Sequence, residues 1–271
     1  MLTHSGNSEI YNPDLTNSQA FREIFHSHKD KLYTKSSLFS LFLLNNIFSS
    51  SYIVEQLLEI VSRYNVQRLN SSESKFIFKE LIRFSFVQRI LPEKNKKSGL
   101  LSFYQNLKVK VEWLVRDPHF WLQYGMSELM FNNFKRAQEY LDNAYELIKH
   151  RNDNHTYDSS YIDTQQAKLY LLKSLKEQNG ELIFEYFQKA HSLLAHLQND
   201  QYKFRQLFNY IEVYKTKFNL LSKQRKKDFI LACKYIVNQI ENQNLNSIVT
   251  NDYVKTKCLS ELNKIIIQSG I

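Results

Sequence analysis

The apolar residues of the chain recur mostly at three- and four-residue spacing, the period of one helix face. Leu38, Leu41, Phe42, Leu44 and Phe48 form the first series, with Thr34 or Ser36 placed to cap it. Ser49-Ser50-Ser51 breaks and caps again, and Ile53, Leu57, Leu58, Ile60 and Val61 carry the pattern on. After the polar break Asn70-Ser71-Ser72 come Phe76, Ile77, Phe78, Leu81, Ile82, Phe84 and Phe86. This run is apolar around more than one face, which predicts a helix at the centre of the N-terminal half. Pro92 and the polar run from Glu93 to Gly99 end it in a loop, a candidate hinge. Leu100, Leu101, Phe103, Tyr104 and Leu107 predict a further helix. Val109, Val111, Trp113 and Val115 alternate as in a strand; among so many helices they read as an extended connector or a helix end. Residues 1–20 are polar, carry the turn formers Gly6, Asn7, Asn12 and Pro13, and read as a loose tail.

The stretch Asp117-Pro118-His119-Phe120-Trp121-Leu122-Gln123-Tyr124-Gly125 opens the second half. Asp117 is a good N-cap, and Pro118 loses nothing at the first helical position. Gly125 inside a helix costs about 1 kcal/mol relative to Ala. Counted from Pro118, Trp121 is fourth, Tyr124 seventh, Gly125 eighth, Ala137 twentieth, Leu141 twenty-fourth and Ala144 twenty-seventh. This spacing resembles the tetratricopeptide repeat, a helical hairpin of 34 residues. Tyr124 and Leu141 are conservative departures, and Glu128 stands where the repeat has Tyr. Small residues let the two helices approach closely, and Trp121 fills the space where the pair opens. The pairs 161–176 with 181–197 and 202–218 with 223–240 read as degenerate further units. Ala190 takes the part of Ala144 at a distance of 46 residues, with the excess in the polar loop 152–158. Leu259, Leu262, Ile265 and Ile266 predict a terminal capping helix.

The expected fold is therefore all-α: an N-terminal helical bundle followed by a short α-solenoid of degenerate tetratricopeptide-like hairpins. The expected organisation is a flexible arm over 1–30, a helical domain over 31–110 and a repeat domain over 111–271. Composition agrees, because five Gly and three Pro are few for 271 residues and an α/β or all-β chain needs more of both at its turns. The longest apolar run, Leu38 to Leu44, is too short to span a bilayer, and no basic-then-apolar signal opens the sequence. Cys233 and Cys258 read as reduced core thiols. The expectation is a cytoplasmic protein without membrane association.

A wider order of motifs carries a second resemblance. Arg83-Phe84-Ser85 leads to Ile90-Leu91-Pro92, then to Phe103-Tyr104-Gln105-Asn106-Leu107-Lys108, then to Asp117 through Tyr124, and finally to Tyr161-Ile162-Asp163-Thr164-Gln165. Over roughly residues 25 to 200 this resembles the C-terminal helical region of bacterial signal-transduction NTPases of the STAND class. Many of these carry nuclease, TIR or sirtuin-like effectors and act in anti-phage defence. The resemblance implies a sensor, scaffold or regulatory piece whose partner is an NTPase or effector subunit, or a second copy. It implies no hydrolysis here, because no G-x-x-x-x-G-K-[ST] occurs; Gly6 and Gly99 are isolated.

Candidate chemistry is sparse. His26 and His28 with Asp30 could supply half of a metal site, but no second cluster completes it. Asp153, His155, Asp158 and Asp163 are the densest acid–His group, and polar turn chemistry with Asp158 or Ser159 as a cap explains them more simply. Asp153, His155, Tyr157 and Asp158 are kept as candidate partner contacts, since loops of this kind meet partners. The net charge of +9 and the clusters Lys94, Lys96, Lys97 and Lys223, Arg225, Lys226, Lys227 are candidate phosphate contacts. Tyr202, Tyr210 and Tyr214 are either a stacking platform or a core stripe. No catalytic residue, cofactor or metal ligand is assigned. The leading reading is a non-catalytic interaction subunit, and the alternative is a basic helical nucleic-acid-binding protein.

Overall fold

The computed structural model describes residues 25–28, 31–34, 37–63, 72–149, 159–198, 200–242 and 253–269. The class is all-α, with twelve α-helices among the described residues. The exception among the described residues is a short antiparallel hairpin of β1 (Phe25–His28) and β2 (Lys31–Thr34), in which Phe25 pairs with Thr34 and His28 with Lys31. β2 stands where the helical domain is expected to start; Leu32, Tyr33 and Thr34 suit a strand better than a helix turn. Contacts divide the chain into two units, 1–112 and 113–271.

The first unit holds α1 (Ser37–Asn46), α2 (Ser50–Ser62), α3 (Ser72–Leu81), α4 (Phe84–Ile90) and α5 (Lys96–Lys110). Ser49 caps α2, its Oγ accepting from the Tyr52 N–H at 3.2 Å. The core is built by α2 and α5, through Ile53, Val54, Leu57, Leu58 and Val61 against Leu100, Phe103, Tyr104 and Leu107. The run from Phe76 to Phe86 corrects the sequence reading: it is two helices, broken where Arg83 turns extended at ψ 127°. It is also not central, since Phe76 is 65% exposed. The break is stabilised from α5, whose buried Tyr104 donates its O–H to the Ile82 carbonyl at 2.9 Å. Burial pushes the Tyr104 pKa well above the usual range. The alternating stretch after α5 is a 3-10 turn, Glu112–Arg116. At three residues per turn Val111 and Leu114 fall on one side, and both are buried.

The described residues of the second unit form three successive helical hairpins and one further helix. The hairpins are α6 (Pro118–Met130) with α7 (Phe134–Lys149), α8 (Ser160–Lys176) with α9 (Gly180–His196), and α10 (Asp200–Lys217) with α11 (Lys223–Asn242). A last helix, α12 (Tyr253–Gln268), packs on α10 and α11 through Leu262, Ile265 and Ile266. Asp117 caps α6, its Oδ1 accepting from the His119 N–H at 2.9 Å. Trp121 donates its Nε1–H to the Val115 carbonyl at 2.8 Å and sets its ring 5.3 Å from that of Tyr140. Tyr124 and Tyr140 lie closer still, at 4.2 Å. A Cβ on Gly125 would stand 3.1 Å from Leu141 and 3.6 Å from the Ala137 carbonyl oxygen, so α6 and α7 approach closely here. Ala137, Leu141 and Ala144 are fully buried. Glu128, the departure from the repeat pattern, is buried too. It accepts from Asn133 Nδ2 at 2.6 Å and lies 3.9 Å from Arg136, which pins the turn at Asn132, whose φ is 59°.

Buried positions recur along the hairpins. On the second helices Ala137, Ile183 and Phe229 are 46 residues apart, as are Leu141, Phe187 and Cys233, and Ala144, Ala190 and Ile236; all are buried. On the first helices Trp121, Thr164 and Leu207 are 43 apart, as are Tyr124, Ala167 and Tyr210. Each hairpin is thus three residues longer than the last between these markers, close to one helical turn. α9 and α11 run parallel in a fixed register. Contacts 44 residues apart join Arg225 to Glu181 at 3.0 Å, Tyr235 to His191 at 5.8 Å between rings, and Gln239 to the Ala195 carbonyl at 3.4 Å. α7 and α8 are joined by a polar ladder: Gln138 and Gln166 both donate to Asp142, and Lys173 Nζ donates to Gln138 Oε1 at 3.2 Å.

Candidate interaction surface

Polar groups inside the second unit serve packing. His191 on α9 stacks on Phe187, meets the edge of Tyr235 and lies 3.2 Å from the Tyr210 hydroxyl. Burial holds its pKa down to about 4. The folded state therefore resists the proton that the unfolded chain takes up near pH 6.5. Stability is full above that pH and falls as the pH drops from about 6.5 towards 4, by up to about 2 kcal/mol at pH 5. Urea melts at pH 7.5 and 5 are expected to show this loss, and His191→Phe is expected to remove most of it. An equal loss in the variant would assign the acid sensitivity to other groups. Nearby, the buried Lys203 donates to Gln239 Oε1 at 2.8 Å, and Gln239 Nε2 donates to the Tyr235 hydroxyl at 2.7 Å. The Cys233 thiol is buried and its pKa is pushed up by desolvation.

Asp163, the described member of the acid–His group, is held at the start of α8. It accepts from Ser159 Oγ at 2.9 Å, and burial followed by the adjacent Asp163 carboxylate raises the Tyr145 pKa. The other members, Asp153, His155 and Asp158, lie outside the described residues, as do Tyr157 and Asp30. His26 and His28 fall at alternate positions of β1, opposite Tyr33 and Lys31. Among the described residues no group of three or more His, Cys, Asp or Glu is placed to hold a metal ion. Tyr210 and Tyr214 belong to the core with Phe218 and Phe229; the side chain of Tyr202 lies outside the described residues.

The two basic clusters come apart in the structure. Lys94 and Lys97 are exposed at the start of α5, whereas Lys96 pairs with Glu93. At the start of α11, Arg225 is bound to Glu181 and lies 4.7 Å over the Phe184 ring, and Lys226 lies 5.5 Å over Phe218. Lys223 and Lys227 remain exposed. Of these four cations, two are engaged within the fold and two are exposed.

The neighbouring helices α8 and α10 offer a different surface, which sequence reasoning missed. Tyr161, Gln165, Lys168 and Leu172 line one side of α8, and Arg205, Phe208, Glu212 and Lys215 one side of α10. Tyr161 is 50% and Phe208 59% exposed. Burial lowers the pKa of Lys168, which makes no ion pair among the described residues. Each helix carries a single aromatic residue on that side, Tyr161 or Phe208, which gives no sequence signal by itself. Among the described residues no helix is long and apolar enough to cross a membrane. No protein-family model, curated protein or solved structure matches the chain.

Proposed function

We propose that the chain is a non-catalytic helical-repeat subunit that binds a protein partner. The second unit is read as a short solenoid of tetratricopeptide-like hairpins closed by α12, with a repeat of 43 to 46 residues in place of 34. The observation that carries this reading is the recurrence of the same buried positions in three successive hairpins. Arrays of this kind present the outward side of their first helices as a binding surface, here the α8 and α10 residues Tyr161, Lys168, Leu172, Arg205 and Phe208. The STAND-like order of motifs in the sequence supports a scaffold, sensor or regulatory role in a bacterial defence or signalling complex, with an NTPase or effector subunit as the partner.

Native mass spectrometry of the tagged chain purified from its own host is the test. A stoichiometric complex with a second, different polypeptide is expected, and Tyr161→Glu with Phe208→Glu is expected to dissociate it. The chain alone, or a complex that the double variant retains in full, would contradict the reading. The alternative, a nucleic-acid partner, draws on the exposed Lys223 and Lys227. It is weakened because Arg225 and Lys226 are engaged within the fold.

A further inference from the structure

One helix departs from its own repeat. At two outward positions 46 residues apart, α7 carries Glu139 and Asn143, and α9 carries Glu185 and Lys189, ion-paired at 2.6 Å. α11 carries Leu231 and Tyr235 there, 52% and 48% exposed. Tyr235 also meets His191 of α9 edge-on at 5.8 Å, but the packing does not ask for an apolar group at Leu231, whose two counterparts are Glu139 and Glu185. Lys223 and Lys227 precede them at four-residue steps on the same face, exposed and without an ion pair among the described residues.

The chain also carries a complementary face. Phe48, just before the cap of α2, stacks on Tyr52 with ring centroids 5.3 Å apart, and both rings are exposed. Glu55 and Glu59 follow on the outward side; Glu59 is ion-paired with Arg63 at the C-terminal cap of α2, and α2 itself contains no cationic residue.

We propose that α11 of one copy pairs antiparallel with α2 of a second copy. In one register Tyr235 meets Phe48, Leu231 meets Tyr52, Lys227 meets Glu55 and Lys223 meets Glu59. The steps agree because the charged residues are four apart on each helix, roughly 6 Å, as are Leu231 and Tyr235, while Phe48 stacks 5.3 Å from Tyr52. Helix faces read in this way, with apolar anchors one turn apart, are a recurrent recognition mode. A nucleic acid is the poorer occupant: Leu231 offers it nothing, and Tyr235 is held by His191 and Gln239 instead of being free to stack. The two faces differ, so α11 of each copy meets α2 of another. A single helix pair is a small interface, under about 1,200 Å², and the association is transient.

Sedimentation velocity of the full chain over a concentration series, at low and high salt, tests this. The average mass is expected to rise with concentration, and less so at high salt. Lys223→Glu with Lys227→Glu is expected to weaken association at least tenfold, and so is Glu55→Lys with Glu59→Lys. An equimolar mixture of the two variants is expected to associate again, because each restores the other's missing charge. Leu231→Gln is expected to weaken it several-fold. All these side chains are exposed, and circular dichroism checks that the variants keep their helical content. A constant mass at every concentration overturns the proposal, as does association that both charge reversals leave intact, or a mixture that stays dissociated. Binding of a labelled oligothymidylate by a chain that does not self-associate, lost in the lysine variant, also overturns it. That result assigns the face to phosphate.

Discussion

Phe187→Ala is expected to cost about 3–5 kcal/mol, the range for an aromatic side chain removed from a packed core. Phe187 is 1% exposed and sits where three helices meet. Its ring lies 4.9 Å from Tyr210 on α10, 4.2 Å from Phe229 on α11 and 6.3 Å from His191 on its own helix. The truncation leaves a hole lined by rings that are held from several sides: Tyr210 by His191, and Phe229 by Tyr214 and Phe218. Little collapse can fill it. Thermal unfolding followed by circular dichroism is expected to shift down by roughly 10 °C. A shift of only a degree or two would mean that the second and third hairpins do not share this core.

Gly180→Ala is expected to be nearly as damaging, for the opposite reason. Gly180 opens α9 and faces the turn that follows α10. A Cβ there would stand 2.2 Å from the carbonyl oxygen of Leu220 and 3.2 Å from its carbon. The obstacle is backbone, so no side-chain rotation relieves it. The two turns are also tied together by Lys217, whose Nζ donates to the Glu177 carbonyl at 2.6 Å. Asn179 must keep its place as the cap of α9, accepting from the N–H groups of Glu181 and Leu182. The added methyl has to push the second hairpin off the third, at a cost of roughly 3 kcal/mol. Denaturant melts of the variant measure it. Wild-type stability would show that the two turns do not approach as described.

The local chemistry of the chain was legible in its sequence. The Asp117 cap, the Pro118 start and the close approach at Gly125 rest on groups within one hairpin, and their residue types leave few other uses. The all-α class followed from periodicity and from the scarcity of Gly and Pro. The break at Arg83 was not legible, because neither Gly nor Pro marks it; it is set by Tyr104, twenty-two residues away, claiming the Ile82 carbonyl. The basic cluster at 223–227 looked uniform in sequence. Only the register of α9 against α11 commits Arg225 to Glu181 and leaves Lys223 and Lys227 exposed. The α8 and α10 surface was missed for the same reason, since Tyr161 and Phe208 are far apart in the chain and unremarkable singly.

The claim that one hairpin recurs three times can be measured by distance. Spin labels at Glu139, Glu185 and Leu231 occupy equivalent outward positions of α7, α9 and α11. Pulsed electron–electron resonance on the three doubly labelled pairs is expected to give 139–231 as the longest distance, with 185–231 set by the direct packing of α9 on α11. A 139–231 distance no longer than either step would contradict three helix pairs stacked in chain order.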